Sequence, residues 1–140
     1  MSNNNNTVFV TGASGKIGRF LVWRLLCDGF SVKVLVRKEV LPWPNSERLQ
    51  VYKGDITDKG IIKKALLGCD YVFHLAVYQN NNDTKIDEFR HVNIEGTKTL
   101  LDACLCSSVK NIVYVSTAAV FKPTGKEQKA EDWVQKNVCS

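Results

Sequence analysis

The stretch Thr7-Val8-Phe9-Val10-Thr11-Gly12-Ala13-Ser14-Gly15-Lys16-Ile17-Gly18 decides how the chain folds. Its first five residues are β-branched or apolar and stop at Gly12, the pattern of a short buried strand. From Gly15 the apolar spacing turns helical: Ile17, Phe20, Leu21 and Leu25 fall on one face, Arg19 and Arg24 fall off it, and Asp28-Gly29 ends the run. A second strand follows at Val32-Lys33-Val34-Leu35-Val36, which completes a βαβ unit. Between a strand and a helix, the glycines allow a tight turn, close backbone approach to a pyrophosphate at the helix N-terminus, and close packing of helix on sheet. Gly12, Ser14, Gly15, Lys16, Ile17 and Gly18 are therefore candidate contacts to a dinucleotide. A nucleoside-triphosphate loop is a poor fit, because that motif has four residues between its glycines and Ser or Thr after its lysine, where this chain has Ile17.

Strand and helix signals keep alternating beyond this unit. Leu49–Lys53 reads as a third strand, Asp58–Leu67 as a helix with Asp58 at its positive end, and Tyr71–Leu75 as a fourth strand. A long helix runs from Ile86 to about Cys106, with apolar positions at Phe89, Val92, Leu100, Leu101 and Leu105. Asn111–Ser116 is a fifth strand, a near-continuous apolar run of the kind covered on both faces. The expected fold is an α/β three-layer, doubly wound parallel sheet of Rossmann type, strand order 3-2-1-4-5, with its ligand crevice at the carboxyl ends of strands one and four. Residues 1–6 read as a polar tail, 7–121 as the dinucleotide-binding domain and 122–140 as a polar extension ending in a loop and one short helix. Pro42-Trp43-Pro44 marks 38–48 as a loop, either a stiff connection or a flap near the adenosine end of the ligand.

Composition agrees with one soluble domain: 140 residues, 44% hydrophobic and 24% charged. No apolar run approaches the roughly 20 residues that span a bilayer, so no membrane partner is expected. The first residues lack the basic start and apolar stretch of a secretory leader, which makes the cytoplasm the expected compartment. Cys27, Cys69, Cys104, Cys106 and Cys139 form no C-x-x-C pair and have no histidine spaced to complete a zinc site; they read as free thiols, and no metal is expected. The net charge of +5 is concentrated near the glycine turn: Lys16, Arg19, Arg24, Lys33, Arg37 and Lys38 face only Asp28 in residues 1–38, whereas the remainder is balanced. A local anionic ligand fits this better than nucleic acid, which calls for basic and aromatic residues along a face.

The end of the second strand bears on which dinucleotide binds. An acidic residue there accepts the ribose hydroxyls of NAD, while a 2′-phosphate is repelled by a carboxylate and attracted by arginine. Arg37-Lys38 stands at that place, with Glu39 next, so NADP is favoured and NAD remains possible; Arg37 could also be simply a solvated charge.

Five motifs occur in order: Thr11-Gly12-x-x-Gly15-x-x-Gly18, Gly54-Asp55-Ile56-Thr57-Asp58, His74-Leu75-Ala76, Asn93-x-x-Gly96-Thr97-x-x-Leu100-Leu101, and Tyr114-Val115-Ser116-Thr117-Ala118-Ala119-Val120-Phe121. Over residues 7–121 the chain resembles the N-terminal half of extended short-chain dehydrogenases/reductases, of the NAD(P)-dependent epimerase/dehydratase or dihydroflavonol-reductase-like kind. The resemblance implies that Asp55 bonds the adenine amino group and that Ile56 packs on the ring. It also implies that Leu75, Ala76 and Val77 line the pyrophosphate and nicotinamide-ribose channel, although Ala is commoner at the place of Val77. Asn93 belongs to the same cofactor set, and Thr117 matches the catalytic Ser/Thr that holds the substrate's hydroxyl or carbonyl. From the residues alone, Asp55 could equally be a turn former, His74 a satisfied strand-end histidine, and Asn93 and Thr97 polar helix positions facing water.

The chemistry of that family also needs a Tyr-x-x-x-Lys pair, whose ammonium lowers the phenol pKa for proton transfer. Tyr52, Tyr71, Tyr78 and Tyr114 are followed four places later by Ile56, Leu75, Asn82 and Ala118, so the pair is absent from these residues. The chain therefore reads either as the cofactor half of an oxidoreductase or epimerase, meeting a small-molecule substrate only with further chain, or as a stand-alone dinucleotide-binding sensor or regulatory module. In both cases the fifth strand is expected to be an open apolar edge through which copies self-associate.

Overall fold

A computed structural model describes residues 6–37, 43, 46–79 and 86–116. Five parallel strands, β1 (Thr7–Thr11), β2 (Ser31–Val36), β3 (Leu49–Lys53), β4 (Tyr71–His74) and β5 (Asn111–Tyr114), form one sheet in the order β3-β2-β1-β4-β5. This is the expected order. With β1 central, its residues pair with both β2 and β4, Val8 lying between Val32 and Tyr71 and Val10 between Val34 and Phe73.

The strands read as continuous apolar runs because both faces are covered. Side-chain alternation sorts them into two cores. Val8, Val10, Val32, Val34 and Val36 pack with Val22 and Leu25 of α1 (Lys16–Cys27) on one face. Phe9, Leu35 and Val72 point the other way, to Ile62 and Leu66 of α2 (Lys59–Leu66) and to Leu100 and Ala103 of α4 (Thr97–Leu105). Asp58 caps α2: its carboxylate accepts from the N–H groups of Gly60 at 2.9 Å and Ile61 at 3.1 Å. At the opposite ends, two cations satisfy terminal carbonyls, Lys33 Nζ donating to Leu67 O at 2.5 Å and Arg48 Nη2 to Leu26 O at 3.2 Å.

Two helix faces differ from the sequence expectation. On α1 the buried residues are Gly18, Val22 and Leu25, while Ile17 and Phe20 are 65% and 74% exposed. Phe20 shares the side of the helix that carries Lys16, Arg19 and Arg24, and the buried residues lie opposite those charges. The approach of Gly18 to the glycine turn fixes that face: a Cβ on Gly18 would meet Ala13 Cα at 2.8 Å. The long helix after β4 is α3 (Ile86–Arg90), a π-helical turn (His91–Gly96) and α4, in sequence. The wider turn shifts the phase of α4 relative to α3. Gly96, Thr99, Leu100, Ala103 and Cys104 are buried, whereas Phe89, Leu101 and Leu105 are exposed.

Trp43, the described residue of the proline-flanked segment, is buried and donates its indole N–H to Arg19 O at 3.2 Å, which fastens it over α1; the flap assigned to 38–42 and 44–45 lies outside the described residues. On the α1 side of β4 and β5, a cavity of about 390 Å³ is lined by Val8, Leu25, Phe30, Tyr71, Phe73 and Val113, away from the glycine turn. The four described cysteines are free, and burial pushes the thiols of Cys69 and Cys104 up, Cys104 to about 11. Among the described residues no helix is long and apolar enough to cross a membrane, and no group of His, Cys, Asp or Glu could hold a metal ion.

The α1 assignment gives a paired expectation. Leu25→Ala should lower unfolding free energy by about 2 kcal/mol through a lost core side chain, while Phe20→Ala should change it by less than about 0.5 kcal/mol. Urea denaturation of the two variants checks this, and a larger loss for Phe20→Ala would refute the observed face.

Candidate cofactor site

The site is built where β1 ends. The chain leaves Thr11 through Gly12, whose φ of +69° is left-handed and favours glycine. A side chain there would also strike the backbone following β4, with a Cβ lying 2.5 Å from Leu75 C and 2.6 Å from Ala76 N. The turn closes with Gly15 N–H donating to Gly12 O at 3.0 Å, and Arg19 Nε donates to Ser14 O at 3.0 Å. Ser14, Gly15, Lys16 and Ile17 are thereby left exposed at the start of α1. Its N-cap, Gly15, offers no side-chain acceptor and the first turn carries no acidic residue, so its N–H groups and positive end face outward.

Beneath this rim runs a buried polar thread. Thr11 Oγ1 accepts from Ala76 N–H at 3.3 Å and shares a hydrogen bond with His74 Nδ1 at 2.7 Å, and His74 Nε2 shares another with Thr97 Oγ1 at 2.8 Å. Burial lowers the His74 pKa to about 4, so the ring is neutral at pH 7. It is the satisfied strand-end histidine, and it ties β1, the segment after β4, and α4 together. Thr97 consequently faces His74, not water.

The second half of the site lies at the ends of β2 and β3. Arg37 is exposed just past Val36. Asp55 does form a turn, its Oδ1 accepting from Thr57 N at 3.0 Å and Thr57 Oγ1 at 2.8 Å. Partial burial raises its pKa, but the two Thr57 bonds and the charges of His91 and Arg37 outweigh it and hold the carboxyl below its ordinary value. Ile56 is buried beneath Gly96, where no Cβ could be accommodated. Across β4, Ala76 is half-buried and Val77 exposed. Asn93, on the π-helical turn, clamps the same segment by accepting from Tyr78 N at 2.7 Å and donating to Tyr78 O at 3.1 Å. Thr117 lies outside the described residues. Tyr78 and His91 were not among the candidate cofactor residues, and Thr11 stood there only as the first residue of the glycine motif; the signal available was their proximity to Val77, Asn93 and Gly12.

A glycine turn, an open helix N-terminus and polar groups at the carboxyl ends of β1 to β4 define a dinucleotide-binding domain of Rossmann type. Comparison with known proteins makes this specific. Residues 9–138 match the model of the 3-beta hydroxysteroid dehydrogenase/isomerase family. The chain belongs to that family, and is the dinucleotide-binding domain of an extended short-chain dehydrogenase/reductase. It is 32% identical to a dihydroflavonol 4-reductase of Hordeum vulgare over 99% of its own length and 43% of the relative's. It is 35% identical to a bifunctional dihydroflavonol 4-reductase/flavanone 4-reductase of Malus domestica, again over 99% of this chain and 44% of the relative. Among solved structures, an epimerase from Methanothermobacter thermautotrophicus superposes with a TM-score of 0.82 at 28% identity, covering 94% of this chain and 41% of that one. A protein solved with UDP-glucuronic acid and NAD superposes with a TM-score of 0.74 at 30% identity, covering 83% and 38%. The chain thus spans less than half the length of the relatives it matches.

His74 gives the site a pH signature. Its folded pKa of about 4 lies below the ordinary 6.5, so the unfolded chain takes up this proton first as pH falls. Stability from this group is complete above 6.5 and is lost between 6.5 and about 4, a loss of about 3 kcal/mol. Denaturation midpoints of wild type and His74→Asn across this range check it. The variant should be less stable at pH 7 and show a shallower acid slope; equal slopes would rule out His74 as the source.

Proposed function

We propose that this chain binds NADP in preference to NAD. The observation that carries the reading is the position of Arg37 at the end of β2, where its charge reaches Asp55 and where an NAD-selective site would place a carboxylate. The pyrophosphate lies on Gly12, Ser14, Gly15, Lys16, Ile17 and Gly18, with its charge on the N-terminus of α1. Asp55 accepts from the adenine amino group, and Ile56, held by Gly96, supports the ring. Leu75, Ala76 and Val77 flank the nicotinamide-ribose channel, and Asn93 fixes that wall through Tyr78. Similarity to dihydroflavonol reductases and to a sugar-nucleotide-bound protein supports a reductase or epimerase/dehydratase as the whole protein. Its small-molecule substrate is met by Thr117 together with further chain. The 140 residues alone bind cofactor without turnover, because they supply no Tyr-x-x-x-Lys pair.

Calorimetric titration tests the preference. Arg37→Ala should weaken NADP binding about tenfold, the scale of a lost charge-assisted hydrogen bond, and leave NAD nearly unchanged. Equal wild-type affinities for the two cofactors would remove the assignment of Arg37.

β5 is one of the two outer strands among the described residues, and its Val113 and Tyr114 are exposed, as is Val115 just beyond it. An apolar edge of this kind supports pairing with a second copy. Sedimentation of the 140-residue chain should show a concentration-dependent dimer, and a monomer at high concentration would count against the pairing.

A further inference from the structure

The chain has two histidines, and the second, His91, has no part in the proposed cofactor contacts. It stands at the start of the π-helical turn, half exposed, between two acceptors. Nδ1 lies 3.1 Å from Glu95 Oε2 and Nε2 lies 3.2 Å from Thr57 Oγ1, while Asp55 Oδ1 is 4.0 Å from Nε2. Thr57 spends its one proton on Asp55 Oδ1 at 2.8 Å, so towards His91 it can only accept. Glu95 likewise only accepts. Each neutral tautomer of His91 therefore leaves one bare ring nitrogen facing an acceptor, or pulls the Thr57 hydroxyl off Asp55. The imidazolium, with two N–H groups, satisfies the whole chain from Glu95 through His91 and Thr57 to Asp55.

We propose that His91 is a proton-operated positioning residue for the adenine end of the cofactor: when protonated it fixes the Thr57 hydroxyl on Asp55 Oδ1 and leaves Oδ2 free for the adenine amino group, so dinucleotide binds more tightly below neutral pH than above it. The inference rests on the assignment of Asp55 to adenine in the proposed function. Among the described residues the charged groups nearest His91 in the chain and the fold are Glu95 on its own turn, Asp87 and Glu88 one helical turn earlier, Arg90 beside it, and Asp55 in the loop after β3; Arg37 at the end of β2 acts on the same Asp55 carboxylate. His74 stays neutral between pH 6 and 8, so it does not confuse the measurement.

The test is calorimetric titration of the 140-residue chain with NAD and with NADP at about pH 6 and pH 8, for wild type, His91→Gln and Thr57→Val. NAD carries no phosphate monoester, a group that itself titrates near pH 6 in NADP, so the NAD series isolates the protein. Wild type should bind NAD about threefold more tightly at the lower pH, the scale of one net hydrogen bond, and both variants should be flat. Equal wild-type affinities, or an unchanged slope in His91→Gln, would overturn the role of His91. A slope kept in Thr57→Val and lost in His91→Gln would overturn the relay through Thr57. Failure of both dinucleotides to bind wild type at either pH would instead overturn the cofactor reading itself.

Discussion

At Gly12 there is room for a hydrogen atom and nothing larger. The turn after β1 is held between the first residues of α1 and the backbone of Leu75 and Ala76, and the left-handed φ it adopts would be strained in any other residue. Because β1 is the central strand, this crowding joins the glycine turn and the helix that follows it to the segment after β4, more than sixty residues away in sequence. Gly18 repeats the constraint one helical turn later, where its lack of a Cβ lets α1 lie against Ala13. Loosening either contact would move the N–H groups of α1 relative to the rest of the site.

Polar thread and apolar core divide the work of holding this arrangement. The burial of Phe9, Ile62, Leu100 and the valines supplies cohesion that is indifferent to direction. The sequence of bonds from Thr97 through His74 and Thr11 to the Ala76 N–H supplies direction, since hydrogen bonds hold these groups at set distances and angles. Among the described residues no buried side-chain nitrogen or oxygen lacks a partner. Ser14, Lys16, Ile17, Arg37 and Val77 at the candidate site contrast with this, being exposed to solvent. Asp55 lies between the two regimes, fixed at one oxygen by Thr57.

Among the described residues the two sides of the sheet are unequally covered. α2 and α4 pack together over one face, while α1 with Trp43 covers the other beside β1 and β2, and the cavity beside Tyr71 and Phe73 lies on that side of β4 and β5.

Local chemistry made much of this legible in the sequence. Continuous apolar strands, the glycine spacing, Asp58 as a helix cap and the Asp55 turn depend on neighbours a few residues away, and handed crossovers then leave little freedom in strand order. Burial on α1 and α4 was legible only in part, at Leu25 and Leu100, because the π-helical turn changes the phase of the helix behind it and the inner faces are set by where Gly18 and Gly96 can approach the turn and Ile56. His74 was legible as a satisfied strand-end histidine, but its partners were not, nor were those of His91. They are brought in by the sheet, 63 residues away for Thr11 and His74 and 34 for Thr57 and His91. The sequence by itself determined the class of fold and the place of the glycine turn, since both follow from local backbone and burial preferences. Only the tertiary structure decided which helix faces are buried and which side chains the two histidines meet, because those follow from contacts across the sheet.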